Sequence, residues 1–319
     1  DNPERLSAIT PLAEEMGILV FGYPLSKTTE AKYKGFEITQ ALEGCTKLNI
    51  NGEKVTLITL PYPSEKRLNE VIKGDTEREQ QISYSKKVGD LFRKLEENFE
   101  EDSINIAVSH IFVVGGESTE SERPIELGGS LLVQKSDLPQ NSQYTALGHL
   151  HKPQKASERL NAYYSGSPIQ YSKSERVYSK GAKIVEVHPG QDAIIEDIYF
   201  KNYKPIEVFK CKGIEEAINI CEENKDKNIW SYFEIVTDEV INQKNIKTMK
   251  SLLKDIIEIK PIINQSYEYE HVDMREKTMK ELFVEYYKFR NKVEPKGELL
   301  DLFLQIVEEE GDDNWDRLD

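Results

Sequence analysis

His149 and His151 sit one residue apart in YTALGHLHKPQ, residues 144–154, and are two of only five histidines in the chain. Side chains two apart on an extended segment point the same way, so both imidazoles can face one point. Tyr144 to Leu147 reads as a buried strand, Gly148 lets the backbone turn sharply as it emerges, and Lys152-Pro153 ends the pairing. A strand exit framed by glycine and proline suits metal ligation; a pair of surface histidines is the plain alternative. His110 follows the alternating strand INIAVSH and precedes the apolar IFVV. Alone it reads as a core histidine, and beside the pair it becomes a third ligand. His188 (before Pro-Gly) and His271 (among charges) read as surface residues. Three imidazoles without cysteine suit Zn, Mn or Fe, but hard cations acting on phosphates also need carboxylates. No Asp or Glu near these strands stands out as a ligand, so the local pattern amounts to half a metal site.

The elements that must position these residues are many short strands and one long helix. Residues 1–15 read as a helix and 17–22 as a strand. Further strands are expected at 34–38, 55–60, 104–108, 131–133, 144–147, 162–164 and 183–187. Val88, Leu91, Phe92, Leu95 and Phe99 recur at helical spacing between 77 and 99. The fold class is therefore α/β: a mixed β-sandwich flanked by helices over residues 1–202. Residues 203–264 read as β-α-β-α-β, a compact second unit. Residues 265–319 hold two helices parted by Pro295 and Gly297. The first carries the apolar stripe Met279, Leu282, Phe283, Tyr286 and Tyr287, and the chain closes in an acidic tail.

The length of 319 residues suggests two domains, and 38% apolar residues allow a sizeable core. No apolar run is long enough for a membrane span. Cys45, Cys211 and Cys221 are too scattered for a disulfide framework, so a reducing cytoplasmic setting is expected. The net charge of −15 speaks against nucleic acid, but it is uneven. Residues 265–319 carry 16 acidic and 8 basic side chains and so supply −8 of it, whereas YSKSERVYSKGAK, 171–183, is locally basic. A DNA ligand is not excluded.

Several segments resemble one family. GHLHKPQ is similar to the last metal-binding motif, GHxH, of the calcineurin-like metallophosphoesterases. SHIFVVGG at 109–116 with SERPIELGGS at 121–130, and YYSGSPIQYSKSE at 163–175, resemble segments of the SbcD nuclease group within it. The opening DNPERLSA resembles the continuation of the family's GNHD motif. The resemblance spans essentially the whole chain. It implies a metallophosphoesterase fold that is N-terminally incomplete, with a small α+β capping domain and C-terminal helices. The family's first Asp-x-His, its bridging Asp and its Asn–His pair have no match here; its catalytic histidine would precede Asp1, so this chain alone is expected to turn over little or nothing.

What the resemblance implies for function is a manganese-dependent DNA exo- and endonuclease of repair and recombination. Two Mn²⁺ ions (Mg²⁺ as substitute) would be held in part by His110 and His149 at one position and His151 at the other. Paired cations about 3.5–4 Å apart clamp both ends of a phosphodiester. Ser165, Ser167, Lys173 and Lys180 are candidates for DNA phosphate contacts, since hydroxyls and ammoniums fix a backbone without reading bases. The resemblance also implies an SbcC-type ATPase partner, in a heterotetramer containing two copies of the nuclease chain, bound through Phe283, Tyr286, Tyr287 and Phe303. Aromatic stripes are enriched at such surfaces, although they also pack within their own domain. Two other functions stay open: a metallophosphoesterase of small phosphodiesters or phosphoproteins, and a scaffold without catalysis.

Overall fold

The computed structural model describes residues 3–68, 76–122, 131–237, 240–262, 278–291, 294–295 and 297–310. Asp1, His271, most of SERPIELGGS and the acidic tail lie outside them. Contacts divide the chain into Asp1–Ile263 and Asn264–Asp319.

The first unit begins with two short helices, Pro3–Ser7 (α1) and Thr10–Glu15 (α2), where one helix is expected. Pro11 lies in the first turn of α2, where its missing N–H is tolerated; inside a continuous helix it would break the ladder. Residues 17–22 form no strand. Four strands follow, Ala31–Lys32 (β1), Phe36–Leu42 (β2), Cys45–Ile50 (β3) and Glu53–Leu60 (β4), then helices Glu65–Leu68 (α3) and Glu77–Glu96 (α4). Next come Ile104–His110 (β5), Phe112–Val113 (β6), Leu132–Val133 (β7), Tyr144–Gly148 (β8), Gln154–Lys155 (β9) and Ala162–Tyr164 (β10). Gly181–Glu186 (β11) and Ile194–Tyr199 (β12) then form a ribbon.

Eight of these strands make one mixed sheet in the order β1-β2-β3-β4-β5-β8-β10-β9. The β1–β4 meander is antiparallel, while β4, β5, β8 and β10 run parallel. Helix α4 covers one face. A capping box opens it: Glu79 N–H donates to Thr76 Oγ1 and Thr76 N–H to the Glu79 carboxylate. Its buried Tyr84, Val88, Phe92 and Leu95 meet Ile58, Leu60, Ala107, Leu147 and Tyr164 from the strands. The chain thus has a mixed α/β fold with helices against a large mixed sheet. Parallel neighbours end on the same edge, which is where open α/β sheets place their ligands.

Ile206–Cys211 (β13), Gly213-capped Ile214–Glu223 (α5), Trp230–Val236 (β14), Gln243–Leu252 (α6) and Ile256–Ile262 (β15) form a separate three-stranded parallel sheet with two helices. It has its own apolar cluster around Phe233, Ile235, Met249 and Cys221. The contact division nevertheless keeps it in one unit with the large sheet. The second unit contains Met279–Asn291 (α7) and Gly297–Glu310 (α8). Phe283 and Phe303 stack at 4.0 Å between these two helices, so the pair expected on a partner surface is spent largely on each other; Tyr286 stays exposed. Among the described residues no helix is long and apolar enough to cross a membrane.

Candidate metal centre

Strands β5 and β8 pair in parallel with His110 directly opposite Gly148. A Cβ on Gly148 would lie 2.8 Å from His110 Nδ1, so glycine at this position makes room for the imidazole. The turn expected of Gly148 is made one residue later. His149 has φ +110°, a left-handed value that side chains rarely adopt. Such backbone costs on the order of 1–3 kcal/mol and persists only where its surroundings enforce it. The His149 ring lies 5.4 Å from that of His110, nearly perpendicular to it, and 5.8 Å from that of Phe112. Tyr62 edges His110 at 6.1 Å.

Crowding acts on both rings. Desolvation, helped by the neighbouring imidazoles, pushes His110 down to about 4, although part of its side chain stays open to water. Desolvation lowers His149 as well. Both are therefore neutral at neutral pH, the form that donates a lone pair to a metal.

His151 is not presented beside His149 by an extended segment: the twist at His149 breaks the alternation, and the intervening Leu150 is buried. Its surroundings are different. The backbone N–H donates to Glu122 Oε1 at 2.7 Å, and its carbonyl accepts from Ser167 N–H at 3.1 Å and Lys180 Nζ at 3.0 Å. Gly166, at φ +79°, allows that approach, since a Cβ there would stand 2.7 Å from the His151 oxygen. The ring Nδ1 lies 2.7 Å from Ser121 Oγ and 3.3 Å from Glu175 Oε1. Glu175 is fully buried and takes hydrogen bonds from Lys180, Ser121 and Ser167. Burial alone would raise its carboxyl, but these donors outweigh it and hold the group at about 2.

These contacts correct the assignment of Ser167 and Lys180 as DNA contacts. Both are buried, and their polar atoms are engaged with Glu175 and the His151 carbonyl. Lys173 pairs with Glu258 at 3.4 Å and lies over the Tyr232 ring, tying its segment to the second sheet. Ser165 alone of the four opens onto a cleft, of about 260 Å³, which it shares with Lys155 and Lys183. His188 bonds Glu186 at 3.0 Å on the exposed ribbon, as a surface residue does.

Among the described residues no three of His, Cys, Asp and Glu form a group able to hold a metal ion. His110 and His149 are brought together, and His151 is close enough to influence both electrostatically. Two adjacent neutral imidazoles with a third nearby fit a divalent cation as part of a donor set, with oxygen donors still required.

No family model matches the chain. It is 36% identical, over 97% of its own length and 78% of the relative's, to the SbcD component of nuclease SbcCD from Bacillus subtilis (strain 168). The chain belongs to the SbcD family. The structure adds three residues that sequence reasoning passed over. Ser121, Glu122 and Glu175 lie inside the SbcD-like segments SERPIELGGS and YYSGSPIQYSKSE, and all three converge on His151. The likeness of those two segments to the family was the available signal.

Proposed function

We propose that this chain is the nuclease component of an SbcCD-type complex and hydrolyses DNA phosphodiesters at ends and hairpins, as exo- and endonuclease, with two Mn²⁺ ions or Mg²⁺ in their place. The observation that carries the reading is the close pairing of two neutral imidazoles at the carboxyl ends of adjacent parallel strands, one of them on strained backbone. By the family resemblance, one ion would sit at His110 and His149 and the other at His151. When bound, such cations supply Lewis acidity to the scissile phosphate and its leaving oxygen. The protein's own part is to hold neutral nitrogen donors in place. Ser165, beside Lys155, offers a hydroxyl and a cation to a phosphate backbone, while Lys183 in the same cleft is paired with Asp197. The partner is an SbcC-type ATPase, with Tyr286 an exposed aromatic of the helical pair, in a heterotetramer containing two copies of the nuclease chain.

The test is cleavage of linear and hairpin duplex DNA by the full-length protein with Mn²⁺, beside bis-p-nitrophenyl phosphate and cyclic nucleotides. Metal-dependent DNA cleavage lost in His149→Ala is expected. Cleavage of the small phosphodiesters alone, or DNA cleavage indifferent to His149→Ala, would defeat the proposal.

A further inference from the structure

The hydrogen bonds around His151 have a forced direction. Lys180 can only donate, and Glu175 facing it can only accept. Ser121 Oγ also stands within hydrogen-bond reach of Glu175 Oε1, and of the acceptors around the serine hydroxyl, Thr119 Oγ1 at 3.0 Å included, the ionised carboxylate is the strongest holder of a hydrogen. The carboxylate has none to give, so the serine hydroxyl supplies it. The Ser121 oxygen is then left with lone pairs towards His151 Nδ1, 2.7 Å away, and the proton in that contact must come from the ring. The direct contact from Nδ1 to Glu175 Oε1, at 3.3 Å, demands the same thing. On the other side Ser167 accepts from Lys180 at 2.7 Å and has the Ile169 carbonyl at 2.8 Å and Glu175 Oε2 at 3.0 Å for its one hydrogen. Glu175 and Lys180 are almost wholly inaccessible to water, so solvent cannot reverse these directions.

We propose that Glu175, held by Lys180 and acting through Ser121, is a positioning residue that locks His151 in the Nδ1–H tautomer and leaves its Nε2 lone pair for a divalent cation. The cation clause rests on the metal reading above; the tautomer clause does not. A histidine ligand's second nitrogen characteristically donates to a carboxylate or carbonyl, which fixes the ring and raises its basicity. Here the carboxylate is supplied from 24 residues downstream and the relay hydroxyl from 30 upstream, so three separate segments set one ring.

The test uses protein labelled with ¹⁵N-histidine and free of metal. With five histidines in the chain, His151 is assigned by the signal missing from His151→Asn. Long-range ¹H–¹⁵N correlations then read its tautomer, and Mn²⁺ titration of the full-length protein reads affinity. Wild type is expected as Nδ1–H. Glu175→Gln retains an oxygen acceptor and should keep that form. Glu175→Leu/Lys180→Met removes both charges together, which folded cores tolerate far better than removal of one. It frees the Ser121 hydroxyl to donate to Nδ1, so the ring should move to Nε2–H and Mn²⁺ affinity should fall about 10–100-fold. A wild-type ring already in the Nε2–H form overturns the proposal without any variant. So does a tautomer identical in wild type and the double variant. If wild type binds no Mn²⁺, the metal reading and the cation clause fall, and the tautomer comparison still decides the positioning role.

Discussion

His110 and His149 are placed by backbone, whereas His151 is placed by side chains. The first two depend on strand register, on the missing Cβ of Gly148 and on one twisted residue, and they border aromatic rings. The third is held at its N–H, its carbonyl and its Nδ1 by Glu122, Lys180, Ser167, Ser121 and Glu175. A backbone-set side chain is robust to most nearby substitutions but sensitive to one methyl group in the wrong place. A network-set side chain is vulnerable wherever a buried charge can be orphaned.

The largest effect is expected from orphaning that charge. Lys180→Ala leaves the Glu175 carboxylate buried without its ammonium, and breaking such a pair costs about 3–5 kcal/mol. Chemical denaturation should show this loss, and Glu175→Leu/Lys180→Met should recover most of it. A Lys180→Ala variant as stable as wild type would mean that His151 is not network-set. Next in size is Gly148→Ala. Its methyl group must displace the His110 ring, at a cost of about 1–3 kcal/mol for forced overpacking. The His110 ring resonances should shift while those of His151 stay in place. Movement of both would erase the distinction.

Acid separates the two regions as well. Unfolded His110 takes a proton near 6.5, but the folded ring refuses it until about 4, so the unfolded chain binds more protons between those values. Stability is therefore lost as pH falls through that window. With the ring partly open to solvent, the loss is about 1 kcal/mol. Glu175 has the same sign in a lower window: its carboxyl is ordinarily near 4.5 and lies at about 2 when folded. Its contribution is present above 4.5 and disappears only as pH drops towards 2. Denaturation of His110→Asn should lack the slope between 6.5 and 4 and keep the lower one. An unchanged upper slope would show that His110 is not the group responsible.

Much of this could be read from the sequence, and the reasons for the failures are physical. Helix α4 was legible because its apolar stripe holds over several turns, and the second sheet because its apolar runs alternate cleanly with helical ones. Strand β3 was missed because it buries Thr46, which bonds Thr28 inside the core, and breaks the expected alternation. The strand exit at His149 was legible, but its conformation was not. A glycine beside a histidine suggests that glycine does the turning, and only the neighbouring strand shows that its role is space. Glu175 gave no local sign at all. A carboxylate amid serines and lysines reads as surface until three distant segments close over it.

His149 gives the finest test of the comparison, because strain and function oppose each other there. Glycine adopts φ +110° without penalty, so His149→Gly should release about 1–3 kcal/mol of backbone cost. Against this stands the loss of a half-buried ring's contacts with Phe112 and His110, about 1 kcal/mol. The variant should melt at or slightly above the wild-type temperature while any metal affinity that depends on this imidazole is lost. His151→Gly has no strain to release and severs a buried network, so it should melt lower. Gaining stability by deleting a side chain is the mark of a residue kept for chemistry rather than for the fold. If His149→Gly melts as far below wild type as His151→Gly does, the twisted backbone carries no cost, and His149 is a packing residue like its neighbours.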